Sequence, residues 1–201
     1  MGYMTLYTGK FTLNKPLDDD TYNLLVGLAK TRRMKRDPKK LEEMGLGNAE
    51  TFGVDGEFYY NPNDFEHFGQ TWDESILDYN TPPETQPWLW LKWIPTKDRM
   101  AIEWSGERNS YHSELWIEYL VERILKPRGY VLNGHVTAEG EWQCECECSC
   151  NLLSRDCQCE CNGECVIDNW HIEVKDNQVS WTSSVRHHIP RHFISPLPDK
   201  V

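Results

Sequence analysis

The N-terminal quarter of the chain shows two different hydrophobic periodicities. Residues 3–13, YMTLYTGKFTL, alternate apolar and polar positions, which predicts a strand. Residues 21–36 carry apolar side chains at the spacing of one helical face, with three aspartates before them and cations at their end, as the helix dipole favours. An Asp-Pro pair at 37–38 predicts a second short helix that ends at Gly45 or Gly47.

The middle of the chain combines short strands with one strongly amphipathic helix. We expect strands at residues 56–60, 88–93 and 99–104. Residues 61–87 are rich in Asn, Pro, Gly and Asp, and a loop of that length is usually functional or compactly packed. Residues 110–126 carry an apolar stripe at helical spacing, with a proline at the end. The side chains expected on the core face of the last two strands are Leu89, Leu91, Trp93, Met100, Ile102 and Trp104.

The C-terminal third predicts a further strand over residues 129–141 and a tight hairpin over residues 170–183. A two-residue Asp-Asn turn at 176–177 fixes the hairpin register. That register sets two pairs opposite each other, Val174 with Val179 and Ile172 with Trp181. Strands outnumber helices, so the predicted class is α+β: a mainly antiparallel sheet packed on one long helix, with a cysteine-dense β-hairpin arm.

The predicted organisation is a single core that is interrupted once. Residues 1–140 and 167–186 form the α+β core, residues 141–166 a cysteine-rich hairpin insertion, and residues 187–201 a basic C-terminal tail. With 201 residues and nine tryptophans, the chain can bury a sizeable core. No apolar run reaches the length of a membrane span and the N-terminal residues alternate, so we expect no membrane association, no secretory signal and a cytoplasmic location.

The net charge of −11 argues against direct nucleic-acid binding, because such affinity comes largely from cations that replace counterions. The charge is uneven: residues 30–40 carry seven basic side chains and one acid, whereas residues 141–165 carry six acids and one arginine. Both segments are typical of solvated surface. One alternative is that the basic segment binds an acidic protein partner, and its candidate contact residues are Arg32, Arg33, Lys35 and Arg36. The other is that the acidic segment competes with nucleic acid for a basic partner.

Trp88 and Trp90 are the aromatic candidates for partner binding. They alternate away from the predicted leucine face, beside the long loop with its own aromatic residues. The loop can cover them, in which case they belong to the packing of the domain. If they are uncovered, they form a docking patch, since tryptophan and tyrosine dominate interface hot spots.

All eight cysteines lie within 22 positions, at Cys144, Cys146, Cys148, Cys150, Cys157, Cys159, Cys161 and Cys165. In an extended chain the alternate spacing puts each set on one face. If the two arms fold as an antiparallel hairpin about residues 151–156, one register sets three pairs face to face: Cys150 with Cys157, Cys148 with Cys159 and Cys146 with Cys161. Cys165 then faces Cys144 only if the intervening Asn-Gly-Glu bulges by two residues.

Two chemistries fit this pairing. Opposed strand residues fall within the Cα separation that a disulfide needs, and eight thiolates make two tetrahedral sets for structural zinc. A cytoplasmic location favours thiolates and metal over disulfides, with free thiols as the third alternative. The expected role is structural in each case, because neither a C-x-x-C pair nor a positioned base accompanies the cysteines.

Two further groups could hold a metal or act in catalysis. The carboxylates Asp55, Glu57, Glu103 and Glu107 lie on or beside neighbouring predicted strands, although exposed acids at strand edges do the same without function. The histidines are His171, His187, His188 and His192, whose spacing matches no known ligand motif and is typical of a basic tail. No nucleotide-binding, zinc-protease or nucleophile-elbow motif is present, which lowers the expectation of an enzyme.

Several segments, taken as a set, resemble a family of small uncharacterised proteins from bacteriophages, prophages and their bacterial hosts. The segments are VDGEF, LDYNTPPETQPWLWLKWIPT, IEWSGE, LKPRGYVLNGHVTAEGE and IEVKDNQVS, and they cover roughly residues 50–140 and 168–182 in matching order. The resemblance implies a phage context and the cytoplasm of a bacterial host, but no mechanism. It also implies that the cysteine stretch is an insertion, because relatives pass almost directly from the Gly-Glu near residue 140 into the final hairpin.

Three functional hypotheses follow. The first is a non-enzymatic interaction protein, a phage-type accessory factor that binds a host protein or assembles with itself, with an arm stapled by structural zinc or by disulfides. The second is a metal-dependent enzyme that uses carboxylates near Glu103. The third is a structural assembly subunit whose cysteine arm cross-links neighbouring copies.

Overall fold

The structure, a computed structural model, describes residues 5–61, 67, 69–107, 111–140, 143–144, 164–182 and 185–190. For residues 143–144, 164–167 and 185–190 it describes the backbone alone. Most of the cysteine arm and the end of the predicted tail therefore lie outside the described residues.

Ten strands and three α-helices make up the described regular structure. The strands are β1 (Leu6–Leu13), β2 (Lys35–Arg36), β3 (Ile76–Asp78), β4 (Trp93–Pro95), β5 (Ala101–Trp104), β6 (Leu132–Glu139), β7 (Gln143–Cys144), β8 (Glu164–Lys175), β9 (Gln178–Trp181) and β10 (Val185–Pro190). The α-helices are α1 (Asp19–Lys30), α2 (Pro38–Glu43) and α3 (Ser113–Tyr119). Shorter 3₁₀ turns span Ala49–Phe52, Val54–Gly56 and Lys126–Arg128, and a π-helical turn spans Leu120–Leu125.

One antiparallel sheet organises the molecule. Its strands lie in the order β10-β8-β6-β1-β5-β4, and β7 and β9 also pair with the long strand β8. A separate two-stranded sheet joins β2 to β3. These observations confirm the α+β class and the mainly antiparallel sheet. In the described part of the chain, no helix is both long enough and apolar enough to cross a membrane.

The predicted single long helix over 110–126 is not found. The α-helix ends at Tyr119, the chain widens into the π-helical turn, and it closes with a 3₁₀ turn to Arg128. The 3₁₀ end has a local cause, because Pro127 has no amide hydrogen to continue an α-helical ladder. The π-helical turn keeps its four apolar side chains, Leu120, Val121, Ile124 and Leu125, buried.

A single large core packs the helices against the sheet. It joins apolar residues of α1, of the helical segment 113–125 and of strands β1, β4, β5, β6 and β8. Trp93 lies at its centre, 5.4 Å from the Tyr7 ring and 5.5 Å from the Phe11 ring in edge-on contacts. The Nε1 of Trp93 donates to the Ser113 carbonyl at 3.0 Å, so this ring also fixes the start of α3.

Features set by local chemistry match their predictions. Asp18 caps α1, its side chain accepting from the Thr21 amide at 2.7 Å, and Asp37 caps α2. The C-terminal hairpin has the expected register, with Val174 opposite Val179 and Ile172 opposite Trp181. Both turn residues, Asp176 and Asn177, have positive φ, as a type I′ turn requires.

Two predicted strands in the middle of the chain are wrong or too long. Residues 56–60 form turns rather than a strand, because Glu57 and Tyr59 are held by long-range side-chain contacts described below. Only the end of 88–93 is a strand, since pairing begins at Trp93. Of the expected core residues, Leu91, Trp93 and Ile102 are buried, Leu89 and Trp104 are half-buried and Met100 is exposed.

The boundaries of the arm and of the tail differ from their predicted positions. Strand β8 begins at Glu164, within the segment assigned to the arm. Strand β10 pairs with the first half of β8, so residues 187–190, assigned to the tail, belong to the sheet. The described residues of the arm are Cys144 and Cys165 with their immediate neighbours, and the rest of the predicted hairpin lies outside the described residues.

Candidate functional site

Arg33 is a buried cation at the centre of a polar network. Its side chain is only 1% exposed, directly after α1. The Nε donates to the Gln86 side-chain oxygen at 3.1 Å, and Nη2 donates to the carbonyls of Glu57 and Tyr59 at 3.1 and 2.7 Å. Nη1 has no hydrogen-bond partner among the described residues. Burial lowers the pKa of Arg33 to about 10. Because this value is still well above neutral pH, the side chain remains charged. Its hydrogen bonds tie two loops to the segment that follows α1.

Glu57 supplies the carboxylate of this network. Its side chain has no exposed surface and accepts two hydrogen bonds from the Arg123 guanidinium, one of them from Nε at 3.2 Å. The Thr85 hydroxyl donates to it at 2.8 Å and the Val54 amide at 3.3 Å. Burial by itself raises the pKa of Glu57, but the hydrogen bonds from Arg123 and Thr85 outweigh burial and hold the pKa below its usual value.

Gln86 and Tyr119 connect this network to the helical segment. The Nε2 of Gln86 donates to the Glu57 carbonyl at 2.7 Å and to the Tyr119 hydroxyl oxygen at 2.9 Å. Burial raises the pKa of Tyr119 well above its usual value, so the phenol is neutral at physiological pH. The network therefore locks residues 57–59, the turn 84–87 and α3 into one arrangement.

A cleft of about 400 Å³ opens above this network, between the turn 84–87 and the helical segment that follows. We call it the acidic cleft. Its lining is apolar at Pro87 and Leu115, polar and uncharged at Thr85, Gln86 and Tyr119, and charged at Glu84, Glu118, Glu122 and Arg123. Since Gln86 and Tyr119 are fixed by the buried network, the floor of the cleft is rigid while its rim is exposed.

Aromatic rings stand beside the acidic cleft. Trp88 follows the lining residue Pro87, and its ring lies 5.6 Å from the ring of Tyr111 and 5.4 Å from that of His112. Trp88 is 37% exposed, Tyr111 42% and Leu115 37%. Trp88 is therefore uncovered, which is one of the two alternatives that the sequence leaves open, and Tyr111 and Leu115 are exposed residues that the sequence did not indicate.

Trp90 has a different environment from Trp88. It is half-buried, with the Arg32 guanidinium 5.9 Å and the Lys92 ammonium 5.3 Å from its ring centre. Arg32 also stacks on Tyr79 at 4.7 Å and donates to the Tyr79 carbonyl at 3.2 Å. Trp90 and Arg32 thus hold the long loop against the domain.

The other basic candidates are also engaged within the fold. Arg36 is buried, donates to Asp73 at 2.5 Å and to the Ser75 hydroxyl at 2.6 Å, and stacks on Tyr59. Lys35 is half-buried and pairs with Asp55 at 3.1 Å. Because Arg33 and Arg36 lie inside the protein, their side chains fasten loops and are not available to a partner in this fold.

Among the described side chains, the carboxylate candidates and His171 do not converge on one site. Asp55 pairs with Lys35, Glu57 with Arg123 and Glu107 with Lys92, while Glu103 lies on β5 opposite Lys10 and Ile94. The Nδ1 of His171 is 3.2 Å from the Thr137 hydroxyl, the backbone of His187 and His188 lies in β10, and His192 lies outside the described residues. Within the described ranges, no group of three or more His, Cys, Asp or Glu residues is placed to hold a metal ion.

Two of the eight cysteines fall in described backbone. Cys144 in β7 lies directly opposite Cys165 in β8, and Gln143 lies opposite Val166. This is the outermost of the four predicted cysteine pairs. The other six cysteines, Cys146, Cys148, Cys150, Cys157, Cys159 and Cys161, lie outside the described residues.

Comparison of the chain with protein-family models, with curated proteins and with solved structures gave no match. The resemblance to phage and prophage proteins therefore stays a prediction from the motifs.

The network that forms the floor of the cleft is not among the sites predicted from the sequence. Gln86 and Tyr119 were not candidates, and Arg33 was assigned to a surface patch. A local signal does exist: Glu57 is a single carboxylate in an otherwise apolar and aromatic run, GEFYY, and a charge in such a run requires a buried partner. The identity of the partner is not visible in the sequence, since Arg123 lies 66 residues away.

Proposed function

We propose that this chain is a non-enzymatic interaction protein whose docking surface is the group of exposed side chains Trp88, Tyr111 and Leu115. The observation that carries the proposal is the contact of the Trp88 ring with the tilted rings of Tyr111 and His112 at the side of the acidic cleft. Tryptophan and tyrosine are the residues that most often dominate binding energy at protein interfaces. Exposed aromatic rings beside a cleft fit a protein partner better than they fit catalysis.

The rigid floor of the cleft supports the same proposal. Gln86 and Tyr119 are held by hydrogen bonds, and beneath them Glu57 is fixed by Arg123 and Thr85. A surface that is already ordered loses less conformational entropy when a partner binds, which favours affinity. The aromatic side chains therefore lie beside a cleft floor that does not have to reorganise when a partner binds.

The proposed biological setting is that of a phage-type accessory factor that binds a host protein in the bacterial cytoplasm, with self-assembly as the alternative. This setting rests on the motifs of the chain. The longest of these motifs, residues 77–96, contains the turn 84–87 and Trp88, which form one wall of the acidic cleft. A family motif that coincides with the docking surface is what a shared binding function would produce.

The cysteine arm is proposed to be a structural staple, held by zinc or by disulfides. The opposition of Cys144 and Cys165 in β7 and β8 supports this proposal, because residues directly opposite on antiparallel strands lie within the Cα separation that a disulfide needs. Bound zinc would equally draw the two strands together through their thiolates. In either case the arm would hold the base of the insertion closed.

Comparative capture tests the docking surface. Immobilised wild-type chain, Trp88→Ala and Trp181→Ala are exposed to the same bacterial extract, and each retained protein is quantified by mass spectrometry. Trp181 is the matched control because it is an exposed tryptophan on β9 that is not among the residues lining the cleft. Retention of a defined protein that falls at least about tenfold with Trp88→Ala alone is the expected result. Equal retention by all three chains would exclude this surface as the docking site.

A further inference from the structure

We infer that the acidic cleft takes a short partner segment in which lysine or arginine alternates with an apolar side chain. This inference rests on the proposed function and specifies the chemistry of its partner. The lining carries three carboxylates, on Glu84, Glu118 and Glu122, and one guanidinium, on Arg123. The juxtaposition of that charge with apolar and aromatic side chains is the feature that selects the partner.

The distribution of ion pairs leaves the negative charge available. Arg123 is bound to Glu57, and Glu122 is bound to Lys126 at 2.9 Å. Among the described residues, no cation forms an ion pair with the carboxylate of Glu84 or of Glu118. These two exposed acids lie on the two walls of the cleft, one in the turn 84–87 and one on α3. A cation that enters between the walls would therefore meet carboxylates from both sides.

The cations near the cleft do not cancel this preference. Arg33 lies behind Gln86 and is fully buried, and its guanidinium donates to Gln86 and to backbone carbonyls. Tyr119 remains a neutral phenol at physiological pH because burial raises its pKa. Arg123 lines the cleft and is 43% exposed, but its guanidinium is bound to Glu57. The exposed carboxylates of Glu84 and Glu118 therefore favour a cation at the mouth, and an acidic segment would meet repulsion from them.

The apolar side chains explain why a cation alone is not the expected ligand. Leu115 and Pro87 line the cleft, and Trp88 stands next to Pro87. The aliphatic stem of lysine or arginine packs on such surfaces while its charged end reaches a carboxylate. An adjacent apolar residue of the partner would cover Leu115, which otherwise exposes 37% of its surface.

The test uses the full chain and a fluorescein-labelled hexapeptide, Gly-Lys-Leu-Lys-Leu-Gly, with Gly-Glu-Leu-Glu-Leu-Gly as its acidic counterpart. Binding is followed by fluorescence anisotropy, and contact is located by the NMR shifts of the Gln86 side-chain amide and the Leu115 methyls. We expect binding of the basic peptide alone. We also expect the double variant Glu84→Gln/Glu118→Gln to weaken that binding by about tenfold, which corresponds to the loss of two exposed ion pairs.

A second double variant, Glu50→Gln/Glu173→Gln, removes the same charge from exposed positions in other elements. An equal loss of affinity in the two double variants would mean general attraction to an acidic protein and would overturn the inference. Failure of the peptide to bind, with capture of the cellular partner still lost in Trp88→Ala, would overturn the peptide chemistry and leave the docking surface intact. Unchanged capture with Trp88→Ala would overturn the proposed function itself.

Discussion

The carboxylate of Glu57, which has no exposed surface, accepts two hydrogen bonds from the guanidinium of Arg123, a side chain that is 43% exposed. Glu57 is thus fully buried, whereas Arg123 reaches solvent beside the acidic cleft. The pair joins the turns near residue 57 to the helical segment 66 residues later, so it fixes one wall of the cleft relative to the core. Its energetics give the first two predictions.

Arg123→Ala should lower the free energy of unfolding by about 2 kcal/mol, because it leaves a buried carboxylate with fewer donors. Lys126→Ala should cost less than about 0.5 kcal/mol, because its partner Glu122 is exposed. Urea denaturation of both variants measures the difference. Equal and small effects would show that the Glu57–Arg123 pair does not hold the wall in place.

The same carboxylate makes stability depend on pH. Glu57 has a folded pKa below its ordinary value of 4.5, so near that pH the unfolded chain binds more protons than the folded one. Its contribution is complete above about pH 5.5 and is lost as the pH falls through 4.5 and then through the folded pKa. Urea denaturation of wild type and of Glu57→Gln, repeated at several pH values from about 5.5 downward, measures this contribution. The free energy of unfolding should fall less steeply with decreasing pH in the variant. Asp18 and Asp73, whose pKa values are also lowered by hydrogen bonds, should give both proteins a common residual slope.

Two adjacent arginines offer a matched pair for the buried network. Arg33→Met removes three buried hydrogen bonds, to the Gln86 side chain and to the carbonyls of Glu57 and Tyr59, so it should cost about 3 kcal/mol or prevent folding. Arg32→Met leaves the buried network unchanged and should cost less than about 1 kcal/mol. Thermal unfolding followed by circular dichroism distinguishes them, and a stable, cooperatively folded Arg33→Met would contradict the structural role of this cation.

The sequence predicted the features of the fold that depend on neighbouring residues and did not predict those that depend on distant ones. The Asp18 and Asp37 caps and the hairpin turn at 176–177 were predicted correctly, because each depends on residues only a few positions apart. Residues 56–60 were predicted as a strand and form turns, because the carbonyls of Glu57 and Tyr59 bond to Arg33, 24 and 26 residues earlier. A local pattern carries no information about such a partner.

In the candidate site, too, features that depend on nearby residues were predictable, whereas features that depend on distant residues were not. Trp88 could be selected from its position in an alternating run, but its neighbours Tyr111 and Leu115 come from a distant segment. Of the basic patch, Arg33 and Arg36 proved to be interior, since the sequence shows their charge and not the carbonyls and the carboxylate that surround them. The predicted α-helix over 110–126 was wrong only in the type of helix, because apolar periodicity does not distinguish an α-helix from one that widens into a π-helical turn.

The chemistry of the cysteine arm can be read from intact mass. Native mass spectrometry should show either the added mass of zinc, released on denaturation, or a chain lighter by about 8 Da because four disulfides remove eight hydrogens. A denatured mass equal to the fully reduced chain, with no metal in the native spectrum, would contradict both forms of the staple. A covalent dimer that disappears on reduction would instead favour the hypothesis of an assembly subunit.

The arm should also be separable from the core. Because Cys144 and Cys165 are opposed, replacing residues 145–164 by Asn-Gly closes β7 and β8 with a two-residue turn of the type that hairpins prefer. We expect this variant to unfold cooperatively, within a few degrees of the wild-type Tm. Loss of the cooperative transition would show that the arm is part of the core rather than an insertion.

Site-specific photo-crosslinking tests the central claim most directly. A photo-reactive phenylalanine analogue replaces Tyr111 in one chain and Trp181 in another, and each chain is irradiated in the same bacterial extract. The docking surface predicts a crosslink to one defined protein from position 111, absent from position 181 and abolished by Trp88→Ala. Crosslinks that are equal at the two positions, or that persist unchanged in Trp88→Ala, would contradict it.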